Sequence, residues 1–461
     1  MARQLALLCL LAAVVAADVK QAVVEPVDAK QAVVEPVDAK QAVVDVKRAL
    51  EAAQARVQDQ APVVRYDNHI VAKVVPSTQQ QLDDLHAFFR VNGEIDVWKA
   101  PTKVGREVHF LASPDEYRWV TSALGEKGLK PEVIVSDVQR IIDNQTASIT
   151  RAGDVFGWEN YHRLSSMYSW MQSLVSHFPG VASLVDGGLS HEGRHMLGVR
   201  VAHAEGLPIV FLEAGIHARE WIGPATATYI LHQLLMSADP RVQRVARSFE
   251  WHVFPSVNPD AYEYSHTTER LWRKSRRRFS FGCFGADLNR NFPYNWGTAG
   301  VSWNACSDIF PGSGAASEVE TRYRIKYMEP LLPRMKAFIA LHSYGQLLIF
   351  PWGDTTSKAA NFDALAEVGT KAAEAYSSRY GTDVTLGNLA TVLYPASGSS
   401  MDWAYSQGVP FAFTYELRPG HQSVDPRTGV GFLLPADLIL PAAEETTDSV
   451  VAMLNAILDK W

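Results

Sequence analysis

The sequence predicts an α/β chain in two folded parts. The first is a small ferredoxin-like α+β unit. The second is a mixed, largely parallel central sheet with helices on both faces. Three observations predict this. Between His69 and Val135, strand and helix patterns follow in the order β-α-β-β-α-β. Thr150-Arg151-Ala152-Gly153 then reads as an exposed linker. Beyond it, apolar runs alternate with amphipathic helical patterns, as in a sheet joined by crossover helices. The implied segments are 1–17, 18–61, 62–151 and 152–461.

Residues 1–17, MARQLALLCLLAAVVAA, carry an early Arg3, an apolar centre and small residues before Asp18. They read as a secretory signal peptide, too short to span a bilayer. No later run is long and apolar enough to span one, so a secreted, soluble protein without membrane attachment is expected. Residues 18–61 contain a decapeptide repeat, KQAVVEPVDA from Lys20 and again from Lys30, with Pro26 and Pro36 interrupting any helix. This low-complexity stretch has no aromatic residue and reads as a flexible arm.

In the first folded unit, His69–Val75 reads as a strand. Ser77-Thr-Gln-Gln80 reads as a capping box opening a helix to about Arg90. Ile95–Lys99 and Glu107–Leu111 read as strands. Ser113-Pro-Asp-Glu116 opens a second helix with proline in its first turn. Glu132–Val135 is the last strand, and a helical segment Ser136–Ser148 leads to the linker. Asn144-Gln145-Thr146 is a glycosylation sequon.

In the second unit, Pro208–Ala214, Glu250–Phe254, Ala337–Leu341 and Val409–Tyr415 read as strands. Ala225–Met236, Ser317–Pro330, Phe362–Tyr380 and Ala436–Leu458 read as helices. Ala182–Val201, with its turn glycines, reads as an antiparallel edge hairpin. The chain has 461 residues, is 47% hydrophobic, and has a net charge of −7, which gives no reason to expect a nucleic-acid partner. With Cys9 in the signal, Cys283 and Cys306 remain as an even pair in an oxidising compartment. A disulfide is expected, with two buried free thiols as the other reading.

In open α/β sheets, ligands gather at the carboxyl ends of strands. The run Ile209–Ala214 delivers His217 and Glu220; Phe338–Leu341 delivers His342; Phe411–Tyr415 delivers Glu416. His217, Glu220 and His342 make a His₂Glu set, two ligands close in sequence and one distant, with the composition of a catalytic zinc site. The H-x-x-E spacing alone is weak among 14 histidines and 50 acidic residues, where a surface ion pair is the bland reading. Asp287 either orients His217 from behind or caps a turn. Glu416 is either a catalytic carboxylate or the ion-pair partner of Arg418. Arg273 begins a basic run through Arg278 that otherwise reads as a solvated face.

Six stretches occur in order: GIHAREWI, LWRKSR, GADLNRNF, LHSYGQ, LYPASGSSMDWAY and TYELR. Together they resemble the zinc metallocarboxypeptidases of the pancreatic A/B type. The likeness covers the whole second unit, and the first resembles the family's activation segment. The resemblance implies one zinc ion on His217, Glu220 and His342, activating water and polarising the scissile carbonyl. It implies Glu416 as general base and Arg273 as stabiliser of the developing oxyanion. Asn289, Arg290 and Tyr394 would bind the substrate's terminal carboxylate, Arg219 would serve a further subsite, and Cys283–Cys306 would be the family's disulfide. The resemblance places Met401 at the base of the pocket for the terminal side chain. A thioether there favours aromatic or aliphatic residues, whereas an acid would favour Lys or Arg. Ser399 stands where related A-type enzymes carry glycine.

The implied protein is a monomeric zymogen acting on peptides with a free C-terminus. A trypsin-like protease would release it by cutting after Arg151. The alternatives are a B-type enzyme preferring basic residues, an inactive binding relative, and a zinc amidase or deacylase. The last has no use for Asn289, Arg290 and Tyr394.

Overall fold

The computed structural model describes residues 62–460 apart from 94, 153–154 and 421–429; for 148 and 150–152 it describes the backbone only. The expected signal peptide and repeat arm lie outside the described residues.

The first unit runs β1 (Ile70–Val74), α1 (Gln79–Val91), β2 (Asp96–Lys99), β3 (Val108–Ala112), α2 (Pro114–Gly125) and β4 (Glu132–Val135). Its sheet has the order β2-β3-β1-β4 with every neighbour antiparallel, the expected ferredoxin-like arrangement. Period-two alternation divides the side chains between two faces. Ala72, Val74, Val108 and Phe110 pack with Leu85, Val120 and Leu124 of the helices. Val71 and Leu111 turn the other way and join a cluster with Leu271, Tyr344 and Phe432 of the second unit. That is why β3 is buried along its whole length.

The Ser113–Glu116 capping box forms as expected. The first cap is displaced by one residue. Thr78 is the N-cap, accepting from the Gln81 N–H, while Gln81 accepts from the Ser77 N–H at 2.8 Å. The expected linker is also corrected. Helix α3 spans Val138–Ala152, so positions 150–152 are its last turn. Nothing between Ser148 and Ala152 breaks the i→i−4 ladder before Gly153.

The second unit is an eight-stranded sheet of order β11-β10-β12-β9-β7-β8-β6-β5. After α4 (Leu164–Ser176), β5 (Ala182–Leu189) and β6 (His195–Val201) form the expected antiparallel edge hairpin. The centre is parallel: β7 (Ile209–Ala214) lies between β8 (Glu250–Phe254) and β9 (Met335–Gly345), and β9 pairs with β12 (Phe411–Gly420). The longer helices of the unit are α5 (Ile222–Met236), α6 (Pro240–Ser248), α7 (Pro259–Thr267), α8 (Val319–Met328), α9 (Phe362–Tyr380), α10 (Ser400–Ser406) and α11 (Ile439–Lys460). Along β7, Val210, Leu212 and Ala214 join one core cluster, and Ile209 and Phe211 the other. Both faces of the sheet are therefore covered, which explains why its central strands read as unbroken apolar runs. Strands β10 (Leu347–Phe350) and β11 (Thr385–Asn388) were not foreseen, being only four residues each.

Candidate active site and metal centre

The chain leaves β7 through Gly215, whose φ of +65° suits glycine; a Cβ there would meet Pro224 and the Pro255 carbonyl at 3.1 and 3.2 Å. This tight turn brings His217 and Glu220 back beside the strand end, just before α5. His342 and Glu416 arrive differently from expectation. They lie within β9 and β12, not after them, because the parallel pairing continues through Glu416 opposite His342. That register sets the two side by side.

His217, Glu220 and His342 are buried, and their ligand atoms all lie within 4.8 Å of one another. His217 Nδ1 is 2.8 Å from Glu220 Oε1 and 3.2 Å from His342 Nδ1. His342 Nδ1 is 3.2 Å from Glu220 Oε2, which also accepts the Ser343 N–H. His217 Nε2 lies 3.1 Å from Asp287 Oδ1. With its proton on that side, the Nδ1 lone pair faces the cluster. Two imidazole Nδ1 atoms and a carboxylate converging on one point cannot all be satisfied by a shared proton. A cation satisfies all three, so the donor set fits zinc.

Asp287 is both things the sequence left open. Its Oδ1 caps the Asn289 N–H at 2.8 Å, and its Oδ2 accepts from Arg273 Nη2 at 2.8 Å. Burial pushes this carboxyl up, but Arg273, His217 and Arg290 outweigh that and hold it well below the usual range. Arg273 also reaches Glu220 Oε1 at 3.6 Å, so it belongs to the site and not to a solvated face. Glu416 is not paired with Arg418, which bonds Glu445 instead. Burial, then the Glu220 charge, push Glu416 well above the ordinary carboxylate value. A divalent cation beside it acts in the opposite sense.

These groups open on a cavity of about 170 Å³ that Asn289, Arg290 and Tyr394 also line. Arg290 is buried. It donates through Nε to the Gly300 carbonyl at 3.0 Å and through Nη2 to the Tyr394 hydroxyl at 3.4 Å. The Asn289 side-chain Oδ1 accepts from the Ser400 N–H at 3.0 Å, which leaves its amide NH₂ for the cavity. Ser399 lines the cavity while its hydroxyl caps α10 through the Asp402 N–H. Met401 is not among the lining residues. It is fully buried in the core cluster with Phe292, Leu347 and Val409. Thr414 does line the cavity and was missed. Its signal was available, since it stands two residues before Glu416 on one strand and so shares its face.

The other wall comes from the first unit: Val97, Trp98, Lys99, Ala100, Thr102 and Arg106. Asp96 in β2 places both carboxylate oxygens 3.2 Å from Nη1 of Arg219. Arg219 is buried, stacked 4.1 Å from the Phe432 ring, and also 3.3 Å from Asp308. The small domain therefore lies directly over the metal cluster. Cys283 and Cys306 form the expected disulfide, with Cα atoms 4.9 Å apart.

A family profile described as zinc carboxypeptidase matches residues 167–449. The chain belongs to the zinc carboxypeptidase family. A second profile, carboxypeptidase activation peptide, matches residues 72–145, the small domain. The chain is 42% identical over 398 residues to zinc carboxypeptidase A 1 of Anopheles gambiae, covering 86% of this chain and 91% of that one. It is 36% identical to carboxypeptidase A2 of Rattus norvegicus, covering 84% and 94%. Among solved structures, carboxypeptidase A from Helicoverpa armigera superimposes with a TM-score of 0.79 at 28% identity, covering 86% and 98%. Thrombin-activatable fibrinolysis inhibitor gives a TM-score of 0.78 at 27% identity, covering 86% and 100%. This zinc carboxypeptidase is thus a zinc-dependent peptidase carrying its own activation peptide.

Proposed function

We propose that the enzyme removes single C-terminal residues with apolar or aromatic side chains, and that His217, Glu220 and His342 hold its zinc. The observation that carries this reading is a buried cationic clamp sharing one cavity with the metal cluster. Arg290, braced by Gly300 and touching Tyr394, presents a planar fork suited to a terminal carboxylate. Asn289 adds its free amide. A chain that continued past the terminal residue would have to bury an uncharged peptide against Arg290, so the clamp selects ends.

Zinc, when bound, supplies Lewis acidity for activating water and polarising the scissile carbonyl. The protein groups do the rest. Glu416 accepts the proton of the attacking water and passes it to the leaving amine nitrogen. Arg273, fixed by Asp287, donates to the carbonyl oxygen as negative charge develops there. Arg219 contacts the substrate on the side away from the terminal residue.

Three considerations support the apolar preference. The cavity is lined by Leu347, Leu389, Val392 and Leu393 together with Ser399 and Thr414. Its acids are already assigned: Glu220 to the histidines, Asp308 to Arg219, and Glu416 to proton transfer. The relatives in insects and rodents named above are also called A-type. Rates on matched peptides ending in Phe, Leu, Lys or Arg test the reading; faster release of Lys or Arg would sink it.

The activation domain walls one side of the cavity, and cutting near Arg151 is the proposed release. An Arg151→Gln chain should stay inactive when treated with a trypsin-like protease. Secretion is proposed from the signal-like N-terminus and agrees with the disulfide. Among the described residues, no helix is long and apolar enough to cross a membrane.

A further inference from the structure

We propose that Asp308 is a positioning residue for Arg219, and that, among the described residues, it becomes the sole anionic partner of this guanidinium once activation removes Asp96. The inference rests on the reading above that Arg219 contacts the substrate. Arg219 is only 3% exposed, so its charge needs a fixed counter-charge. Two carboxylates meet the same Nη1: Asp96 at 3.2 Å from the activation domain, and Asp308 at 3.3 Å from the catalytic domain. Among the described residues its other contacts, the Leu271 carbonyl at 3.4 Å and the face of Phe432, carry no full charge, and the nearby Arg270 is a like charge that repels it. Departure of the activation domain therefore takes away one of two counter-ions and leaves the other.

Asp308 is built to remain. Cys306, two residues before it, is tied to Cys283. Phe310, two residues after it, is buried, and its carbonyl accepts from the Asp287 N–H at 2.8 Å. The loop that carries Asp308 is thus fastened to the same aspartate that orients His217. Its side chain is 45% exposed and lines the cavity, so it can follow Arg219 as a ligand enters. The two carboxylates also oppose each other: burial first, and then the charge on Asp308, disfavour the ionised form of Asp96, against the pull of Arg219. The arginine is shared between a brake in one domain and a holder in the other.

Steady-state kinetics on the processed enzyme, with an N-blocked tetrapeptide ending in Phe, test this. For Asp308→Asn, KM should rise about three- to fivefold, the scale of one partly exposed ion pair, with kcat within twofold. Asp308→Glu keeps the charge and should lie within twofold of the parent. In an Arg219→Gln background, Asp308→Asn should add nothing, because its effect runs through the arginine. An unchanged KM in Asp308→Asn, a loss carried by kcat, failure of Asp308→Glu to restore KM, or a full penalty persisting beside Arg219→Gln each overturns the proposal. Arg219→Gln alone separates the two levels. If it leaves KM unchanged, the substrate role of Arg219 fails. If it raises KM while Asp308→Asn is silent, only the present inference fails.

Discussion

Asp287→Asn isolates the group that joins the candidate metal ligand His217 to Arg273. The side chain is wholly buried and serves three partners at once: His217 Nε2 at 3.1 Å, Arg273 Nη2 at 2.8 Å and the Asn289 N–H at 2.8 Å. Asparagine keeps one acceptor oxygen but turns the other position into a donor. Placed on the Oδ1 side, that NH₂ faces His217 and Asn289; placed on the Oδ2 side, it faces Arg273. Either flip sets donor against donor, and the negative charge facing the Arg273 guanidinium is gone. Losing one charge-assisted bond costs about 1.5–3 kcal/mol. On the His217 side this falls on zinc binding, where removing such a supporting carboxylate typically costs 10- to 100-fold in affinity. Zinc competition against a fluorescent chelator, on the processed enzyme, reads this directly. The expected result is zinc affinity lower by roughly 10- to 100-fold, with circular dichroism unchanged. Affinity within threefold of the parent would refute the argument that Asp287 sets the His217 tautomer.

Asp96→Asn removes the carboxylate that pairs with Arg219 across the two domains, so the unprocessed chain should gain measurable peptidase activity and be activated faster by trypsin. No change in either rate would mean that this ion pair does not hold the activation domain in place. Glu320 is buried with Oε2 unpartnered, and burial, then the charge of Asp260, push its carboxyl up to about 7, against backbone hydrogen bonds from His191 and from its own N–H. Here the folded state holds a proton that the unfolded chain releases near 4.5, so stability should fall as pH rises from about 4.5 to about 7. The loss is on the order of 3 kcal/mol at most. In Glu320→Gln, thermal unfolding between pH 5 and 8 should show a flatter profile; an unchanged slope would assign the dependence elsewhere.

Local pattern and chemistry made much of this protein legible in advance. Strand Glu250–Phe254, helix Phe362–Tyr380 and the Ser113–Glu116 cap were readable to the residue, because each is governed by its own periodicity or by a side chain reaching three positions along. The four-residue strands β10 and β11 were not, since so short a run has no period to read. The first cap slipped by one position because Ser77 and Thr78 are both competent caps, and only the helix's packing chooses between them. The candidate metal ligands were visible as polar residues close to the ends of apolar runs.

What the sequence by itself determined, therefore, was the inventory: two domains, a His₂Glu donor set, a candidate base, and two cysteines to pair. The tertiary structure alone decided who meets whom. Sequence spacing holds no sign that Asp96 in the first domain would reach Arg219, that Asp287 would serve His217 and Arg273 together, or that Met401 would lie in the core. Those facts depend on the register between β9 and β12 and on the docking of one sheet face onto another domain. Both are set by long-range burial, which acts between surfaces and leaves no period in the chain.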